Sequence, residues 1–567
     1  MDAFAARRAV TGAKRTATPS EREVARVVGL STTRAPALDW SRYELPSCAI
    51  VLRPVQREAL AEIAHARGGF LPIGVGHGKT LIGLLAGMVL DTDEAIVLVA
   101  PASLPTFERE LVAVGASFAT RCSVKLLSWG VLSQPDGEAR LDALRTRGKS
   151  CVLVADEAHF ARNPTAARSQ RVARWLGRHL DVLFVAMSGT ITTRRLSDFA
   201  HLTTLSLRAG SPTPNDRIAL AAWDASLAGE EIEASSRGLL APLWEVAQPT
   251  GTLPPQREVA EPANVQRLRE SFGKRLRATP GVVQTLDHSC AASIYFHLIR
   301  QAPVARLWEQ ADEVARTYRD PEGLELFSAS DVAASARRLS MGYAYGWEWP
   351  GDPDREWMDA RREWAKWCRR ILSKHADTEF DSPLLVANEA KRHLDSGSSA
   401  EWVLAWVAWD DVSKRIAPLT VVRWLTDAAV DAMIGRVSTS GTILWYGEQA
   451  VANKLTQKGV RVVSPGEPVP LDNATVALSI ASHGTALNLQ AWHTNVLLDV
   501  PANGTAWEQL LGRTHRPGQK SDEIAVHIPH WSWVQRKSLA KARSDAAWIQ
   551  TATENPQKLN LGSYIGG

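Results

Sequence analysis

Short, uninterrupted apolar runs alternate with helix-like stretches over the first part of the chain. Continuous apolar runs separated by helical stretches are typical of parallel strands that are buried on both faces. The pattern therefore predicts one doubly wound α/β domain over residues 48–205. Its five expected strands are FLPI (70–73), AIVLVA (95–100), VKLLSW (124–129), CVLVA (151–155) and DVLFVAM (181–187).

Residues 206–435 show helical periodicity, few strand-like runs and many tryptophans. The stretch is predicted to be a large, mainly helical insertion. Residues 354–375 favour a tryptophan core stripe with a solvated basic face, and a surface that tracks a phosphate backbone or stacks bases is the alternative. The stripe consists of Trp357, Trp364 and Trp367, and three further tryptophans are predicted to be core: Trp402, Trp406 and Trp409.

The α/β alternation returns after the insertion and predicts a second parallel-sheet domain over residues 436–550. Residues 1–47 and 551–567 are predicted to be terminal tails, the first of them flexible and basic. The expected strands of the second domain are TILWYG (442–447), RVV (461–463), ATVALSIA (474–481), TNVLLDV (494–500) and IAVHI (524–528).

Composition narrows the class of protein. With 567 residues, 45% hydrophobic and 22% charged, the chain is predicted to be a globular protein of several domains, not a disordered or fibrous one. A formal charge of +4 requires any nucleic-acid binding to come from local basic faces. Five scattered cysteines argue against a zinc site or a disulfide framework and favour a reducing compartment. The longest apolar run, residues 81–90, is too short to span a bilayer, so no membrane segment is predicted.

The stretch FLPIGVGHGKTLIGLL (70–85) predicts a phosphate cradle. Its glycines, Gly74, Gly76 and Gly78, remove side chains where backbone N–H groups must close on phosphate oxygens, and the helix that follows presents its N-terminal dipole. Lys79 is expected at the outer phosphates and Thr80 at Mg²⁺. The strict pattern G-x-x-x-x-G-K-[ST] requires glycine at position 73, which is isoleucine here, so a plain glycine-rich turn before a buried helix is the alternative.

The fourth apolar run ends in Asp156-Glu157-Ala158-His159. Carboxylates at the C-terminal end of a parallel strand lie in the crevice where open α/β sheets bind ligands. Asp156 is expected to hold Mg²⁺ through its water shell, and Glu157 to orient and deprotonate an attacking water. An acidic helix N-terminus is the alternative. One strand later, the hydroxyls of Ser188 and Thr190 are able to bond the acidic motif or relay movement.

Two further stretches carry candidate ligand contacts. Gln56, ahead of the first strand, has the paired donor and acceptor that read an adenine edge, and a surface glutamine is the equal alternative. In TAWEQLLGRTHRPGQ (505–519), Thr505 and Glu508 have the spacing of a capping box for a helix start. Gln509 and Arg513 then share one helical face, and Arg516 follows a turn later. Two arginines aimed at a phosphate held by another domain would act as arginine fingers, and two surface arginines in a loop are the alternative.

Taken in order, these segments resemble the motif series of superfamily-two helicases, specifically the Swi/Snf-like, DEAH-containing branch of its phage or bacterial type. The resemblance is good over residues 48–205 and 436–530 and weak between them. The segments are LRPVQ (52–56), GVGHGKT (74–80), VLVAPASL (97–104), VADEAHFARNP (154–164), AMSGT (186–190), SHGTALNLQ (482–490) and EQLLGRTHRPGQ (508–519).

The resemblance implies two RecA-like domains and assigns roles to the matching residues. It implies that Gln56 reads adenine, that Lys79 lies in the phosphate loop, and that His159 couples the acidic motif to the second domain. The sequence departs from the family pattern at Ala486, where glycine is usual, and at Ile191, where proline is common. The remaining roles are the phosphate loop (Gly76, Gly78, Thr80), the metal and water-activating carboxylates (Asp156, Glu157), the nucleic-acid backbone (Gly484, Thr485, Asn488, Leu489) and the finger motif (Gln509, Arg513, Arg516).

The function expected from the resemblance is a nucleic-acid-stimulated ATPase that uses ATP and Mg²⁺ to translocate on DNA, with DNA favoured over RNA, in bacterial or phage-infected cytoplasm. An ATP-gated DNA clamp is an alternative, although the presence of Glu157, Arg513 and Arg516 together favours active hydrolysis. The motor subunit of a nuclease or restriction system is another, and a nuclease or replication partner stays open.

Overall fold

The described part of the chain is organised around two parallel sheets. A computed structural model describes residues 17–189, 194–247, 252–285, 290–301, 304, 306–374, 382–415, 418–437, 440–470, 472–483 and 487–566. The strands are β1 Gly69–Leu71, β2 Glu94–Val99, β3 Ser123–Ser128, β4 Cys151–Ala155, β5 Leu183–Met187, β6 Ser293–Ile299, β7 Tyr343–Glu348, β8 Leu419–Trp424, β9 Thr442–Tyr446, β10 Arg461–Val462, β11 Val476–Ser479, β12 Thr494–Leu497, β13 Glu523–Pro529 and β14 Ser563–Ile565.

Helices surround both sheets. The α-helices are α1 Pro19–Val28, α2 Pro54–Ala66, α3 Lys79–Val89, α4 Leu104–Ser117, α5 Trp129–Leu132, α6 Gly137–Leu144, α7 Ala167–Arg178, α8 Ala200–Leu207, α9 Arg217–Ala228, α10 Ala241–Ala247, α11 Pro262–Ala278, α12 Arg306–Thr317, α13 Ala329–Ser340, α14 Arg355–Lys374, α15 Pro383–Asp395, α16 Glu401–Arg415, α17 Ala428–Ile434, α18 Gln449–Gln457, α19 Ile480–His483, α20 Gly504–Thr514, α21 Trp533–Thr553 and α22 Lys558–Leu561. Short 3₁₀ helices lie at Trp40–Arg42, Pro101–Ser103, Ala158–Ala161, Leu196–Asp198, Arg208–Gly210, Ala234–Leu240 and Gln256–Glu258.

The first sheet has the order β1-β5-β4-β2-β3, and all of its pairs are parallel. All five strands predicted from the apolar runs between residues 70 and 187 are confirmed. Successive residues of a strand point to opposite faces, so Ile96 and Leu98 enter one hydrophobic core while Val97 and Val99 enter the other. A sheet covered on both faces explains why its strands read as continuous apolar runs.

The second sheet has the order β10-β11-β9-β12-β13-β6-β14, again parallel throughout. The five predicted strands are confirmed, and two more were missed. The predicted start of this domain at residue 436 is wrong for β6, which pairs with β13 over seven residues. The predicted tail at 551–567 is likewise wrong for β14, which pairs with β6 at the sheet edge. Both strands are partly exposed, so neither stands out as a buried apolar run.

The stretch 206–435 is mainly helical, but it does not form one separate unit. Its first part extends the first half of the molecule, because Trp223 and Phe272 belong to the same core as Ile96. Its later part includes the antiparallel pair β7 and β8 and a small core of its own. That core contains Trp364, Cys368, Val386, Ala390 and Ala405 and is flanked by Trp367, Trp402, Trp406 and Trp409, as the tryptophan spacing predicted.

Helix α21 contributes to the cores of both sheets. Leu539 and Ala542 pack in the core of the second sheet, whereas Trp548 and Ile549, further along the same helix, pack in the core of the first. A single helix therefore packs against both sheets. Among the described residues, no helix is long and apolar enough to cross a membrane.

Candidate active site between the two sheets

The loop between β1 and α3, residues 72–78, turns through two left-handed glycines. Gly76 has a φ of 91° and Gly78 a φ of 74°. A Cβ at Gly78 would lie 2.3 Å from the side-chain nitrogen of Gln56. No larger residue fits there without a shift of its neighbours. The glycines therefore let the backbone curl tightly ahead of the N-terminus of α3, where backbone N–H groups lack partners within the helix.

Lys79 begins α3 and is buried against this glycine-rich loop. Its Nζ donates to the carbonyl oxygens of Ile73 and Gly74, at 3.0 and 3.2 Å, and the residue is only 8% exposed. Thr80 follows in the first turn of the helix and is half-buried. The ammonium group, the N-terminus of α3 and the curled loop together favour an anion with several oxygens.

Gln56 braces the glycine-rich loop from the side of helix α2. Its Oε1 accepts from the backbone N–H of Arg53 at 2.7 Å, and its Nε2 donates to the carbonyl of Gly78 at 2.9 Å. The residue is 2% exposed. Both ends of the amide are therefore used on backbone groups, and an adenine contact would have to use its second hydrogen and second lone pair.

Two carboxylates follow β4, and their pKa values shift in opposite directions. Burial and the neighbouring charge of Glu157 raise the pKa of Asp156. Burial alone would also raise the pKa of Glu157, but Lys79, His159 and Arg513 together hold it well below its ordinary value. Glu157 adopts a left-handed backbone with a φ of 50°, which turns the chain sharply at the strand end. The result is one ionised carboxylate beside a second that accepts a proton readily.

His159 connects the acidic motif to the other sheet. Its Nδ1 lies 3.1 Å from Glu157 Oε2 and 3.1 Å from Ser188 Oγ. Its Nε2 lies 3.4 Å from Gln509 Nε2 on α20. Ser188 Oγ in turn donates to Glu157 Oε2 at 3.4 Å. Two of the predicted coupling residues, His159 and Ser188, are thus brought together around Glu157, with Gln509 of the finger motif beside His159.

Helix α20 packs directly on the glycine-rich loop. A Cβ at Gly512 would lie 2.8 Å from Cγ1 of Val75, so glycine allows the close approach. The helix begins two residues before the predicted Thr505, because Asn503 is its N-cap and accepts from the N–H of Ala506. Thr505 is buried instead. The placement of Gln509 and Arg513 on one helical face is unaffected, because both lie within the helix.

The two arginines of this region hold one carbonyl oxygen. Nη1 of Arg513 donates to the carbonyl of Leu487 at 3.2 Å, and Nη1 of Arg516 donates to it at 3.3 Å. Arg516 lies beyond the end of α20, past Thr514. Burial lowers the pKa of Arg513 to about 10 despite the nearby carboxylate of Glu157. Burial and the charge of Arg53 also lower the pKa of Arg516.

Positive charge exceeds negative charge around the glycine-rich loop. Nη1 of Arg53 donates to the carbonyl of Gly76 at 2.7 Å, so it joins Lys79, Arg513 and Arg516 at the site. Lys79 and Arg513 act on the carboxylate of Glu157, whereas Arg53 and Arg516 are close enough to repel one another. Because buried charges are costly without compensation, the arrangement is complementary to a ligand with several negative charges.

The structure places the other predicted residues less completely. Asn488 is exposed, next to Leu487, whose carbonyl both arginines contact. The predicted residues Thr190, Gly484 and Thr485 lie outside the described residues. In the described ranges, no group of three or more His, Cys, Asp or Glu side chains could hold a metal ion.

Sequence reasoning missed three residues around the glycine-rich loop. Arg53 belongs to the same LRPVQ segment as Gln56, so the sequence did indicate that it lies near the loop. Thr285 and Asn555 had none, because they contact the loop region from more than two hundred residues away along the chain. No protein-family model matches the chain, and no curated protein matches it significantly. The functional argument therefore rests on the residues of the site.

Proposed function

We propose that this chain is an ATPase in which two RecA-like domains close on ATP and Mg²⁺ and couple hydrolysis to movement along nucleic acid, DNA rather than RNA, as in the Swi/Snf-like branch of superfamily-two helicases. One observation carries the proposal. Gln509 of α20, which packs in the core of the second sheet, lies 3.4 Å from His159, and His159 contacts Glu157 after β4 of the first sheet at 3.1 Å. Lys79 of the first half and Arg513 of α20 both lower the pKa of Glu157. Phosphoryl transfer at a domain interface requires such a site, with residues contributed by both domains.

The residues fit a nucleotide phosphate chain. The left-handed Gly76 and Gly78 curl the loop, a Cβ at Gly78 would clash with Gln56, and Lys79 lies buried against the loop. The surplus of positive charge suits a triphosphate. Mg²⁺ is held in such sites by few protein oxygens together with phosphates and water, which Thr80 and Asp156 would provide without a larger cluster.

The two carboxylates would have different roles, Glu157 toward the attacking water and Asp156 toward Mg²⁺. With ATP and Mg²⁺ bound, water would attack the γ-phosphorus while the phosphoanhydride bond to the ADP leaving group breaks. Glu157, kept ionised by its neighbours, can accept a hydrogen bond from that water and take its proton. Ser188 and His159 fix the direction of the Glu157 carboxylate. Asp156, with its raised pKa, is readily neutralised, which suits a group that exchanges a proton for a cation.

The arginines would link chemistry to movement. Arg513 and Arg516 bring positive charge from the second sheet toward the glycine-rich loop. They also hold the carbonyl of Leu487, one residue before the exposed Asn488. A shift of α20 relative to the loop therefore moves residues 487–489, the segment assigned to nucleic-acid backbone contact. His159 and Gln509 would transmit the same shift to Glu157.

The test is a steady-state ATPase assay with single-stranded DNA, duplex DNA and RNA at two salt concentrations. DNA should raise the rate, and the apparent DNA affinity should fall as salt rises because binding releases counterions. Lys79→Ala should abolish productive ATP binding, and Glu157→Gln should bind ATP but barely hydrolyse it. Arg306→Ala, on a helix away from the site, is the control. Turnover at the wild-type rate in Glu157→Gln would contradict the role of Glu157, and a rate insensitive to every nucleic acid would contradict the motor.

A further inference from the structure

A chain of buried hydrogen bonds ties the glycine-rich loop to the turn after β5. The N–H of Gly74 donates to Thr285 Oγ1 at 2.9 Å, and that hydroxyl donates to Asn555 Oδ1 at 3.4 Å. Asn555 Nδ2 then donates to the carbonyl of Gly189 at 3.3 Å. Thr285 and Asn555 are each 4% exposed, so water offers little substitute for these bonds.

The two ends of this chain are also in direct backbone contact. A Cβ at Gly189 would lie 3.1 Å from the carbonyl oxygen of Ile73 and 3.1 Å from the nitrogen of Val75. Ser188, the preceding residue, is the hydroxyl that contacts Glu157. The position of the glycine-rich loop relative to Glu157 therefore depends on how this turn and the loop are held together.

Asn555 is positioned by α20, the helix that carries Arg513. Glu508 of α20 accepts from the backbone N–H of Lys558 at 2.9 Å and forms an ion pair with its ammonium, and both side chains are buried. The side chain of Gln557 donates to the carbonyl of Asn555 at 3.1 Å. Docking of α20 thus sets the position of the segment 555–558, and this segment sets the loop.

We propose that Thr285 and Asn555 are positioning residues for ATP hydrolysis, an inference that rests on the proposed function. They hold the glycine-rich loop and the turn at Ser188 in one register, so that the terminal phosphate of a bound nucleotide meets the water oriented by Glu157. Thr285 acts from the segment after α11 and Asn555 from the segment after α21. Neither touches the reacting atoms, so their effect falls on turnover more than on nucleotide affinity.

The experiment compares Thr285→Val, Thr285→Ser, Asn555→Ala and the control Asn560→Ala. Asn560 follows this segment in α22, is exposed, and its side-chain nitrogen donates to Gln550 Oε1 at 3.0 Å. Thr285→Val and Asn555→Ala should each lower kcat about tenfold, the size expected when a buried donor loses its partner. Binding of a fluorescent ATP analogue should change by less than about threefold. Thr285→Ser keeps the hydroxyl and should stay near wild type.

Two further readouts separate positioning from loss of folding. The double variant Thr285→Val with Asn555→Ala should be no worse than either single variant, because both break one chain. Amide exchange in peptides covering residues 72–78 should speed up in both single variants and not in Asn560→Ala. Unchanged kcat and exchange in the two variants would overturn the inference, as would Thr285→Ser behaving like Thr285→Val.

ATP binding and hydrolysis by the wild-type protein distinguish failure of the proposed function from failure of the positioning role. A wild-type protein that neither binds nor hydrolyses ATP overturns the proposed function. An active wild type whose Thr285→Val and Asn555→Ala variants turn over normally overturns only the positioning role.

Discussion

Arg513 and Arg516 donate to one carbonyl oxygen, that of Leu487, while they lie near the acidic motif of the other sheet. Burial lowers the pKa of both guanidinium groups. Arg516 Nε is buried and has no hydrogen-bond partner among the described residues, which leave this donor of the guanidinium unused. The two side chains therefore have the charge and donors to serve a phosphate while they contact the loop at 487–489.

At the residue scale, Arg516→Ala should lower kcat by about 10³-fold and leave ATP affinity nearly intact, the range known for arginine fingers. Arg513→Ala should act alike. Single-turnover kinetics and nucleotide binding measure the two effects separately. Arg513→Lys and Arg516→Lys, which keep one charge but lose the fork of donors, should recover only part of the rate. Loss of affinity with unchanged kcat would assign the arginines to ground-state binding instead.

Glu94 gives a pH-dependent contribution to stability. It is buried in β2, which opposes ionisation, but an ion pair with Lys125 at 2.7 Å and hydrogen bonds from Thr146 outweigh burial and lower its pKa from 4.5 to about 2. A depressed carboxyl pKa stabilises the fold above the unfolded value of 4.5, and this stabilisation is lost as the pH falls toward 2.

Glu94→Gln should therefore lower the free energy of unfolding by about 2 kcal/mol at neutral pH. The difference from wild type should shrink between pH 4.5 and pH 2, as measured by urea unfolding across that range. Glu363→Gln, which removes the exposed partner of Lys366, is the control and should change stability by less than about 0.5 kcal/mol. If the difference in the free energy of unfolding between Glu94→Gln and wild type stayed constant with pH, the lowered pKa of Glu94 would be contradicted.

At the scale of elements, helix α14 shows how a basic-aromatic pattern is divided between core and surface. Trp357 and Trp364 are buried, as the core interpretation predicted. Arg361 is not part of a solvated face, because it is 8% exposed and lies 4.4 Å from the ring of Phe327 and 4.9 Å from that of Trp347. Its Nη1 also donates to the carbonyl of Glu325.

Arg361→Ala should lower the free energy of unfolding by about 2–4 kcal/mol, because it removes a buried hydrogen bond and cation–π contacts. The neighbouring Arg362→Ala, at an exposed position paired with Asp359 and, at 3.5 Å, with the buried Glu325, should cost about 1 kcal/mol or less. Thermal or urea unfolding measures both. A role of α14 in DNA binding is therefore tested with Arg362, whose loss should reduce the salt dependence of DNA affinity if the helix contacts phosphate. An equal loss of stability in both variants would contradict this division.

At the scale of the whole molecule, the two sheets are joined by contacts outside the motif series. Trp548 of α21 donates from its indole nitrogen to the carbonyl of Leu227 at 2.9 Å, and Arg194, just after the turn at Ser188, forms an ion pair with the buried Asp545. Helix α21 thus reaches from the core of the second sheet to the first. Any relative movement of the two sheets would therefore change the contacts of this helix and of the segment after it.

The proposed motor, being of the Swi/Snf-like type, would grip one strand of a duplex through backbone contacts and would have no need to separate strands. With ATP, the protein should therefore displace a triplex-forming oligonucleotide and leave a blunt duplex intact. Gel-based displacement assays measure both, and Glu157→Gln should do neither. Efficient separation of a forked duplex without triplex displacement would make the protein a helicase in the strict sense.

The parts of the fold that sequence reasoning found are those whose physical signal is local. A sheet covered on both faces leaves uninterrupted apolar runs, and the ten strands that read in this way are all present. The glycine-rich loop, the acidic pair and the arginine helix were also visible, because tight turns, strand ends and helical spacing each constrain neighbouring residues. Strand β6 mixes buried with partly exposed residues and β14 has only three residues, so neither left such a run and their membership of the second sheet was missed.

By itself, the amino-acid sequence determined the two parallel sheets, the glycine-rich loop at Lys79, the carboxylates after β4 and the helical face shared by Gln509 and Arg513. Only the tertiary structure decided that Gln56 is committed to backbone groups, that Arg361 is buried, and that Thr285 and Asn555 support the loop. The physical reason is the range of the interactions. Turns, strands and helix faces follow from neighbouring residues, whereas the partner of a buried polar group is set by packing between segments far apart in the chain.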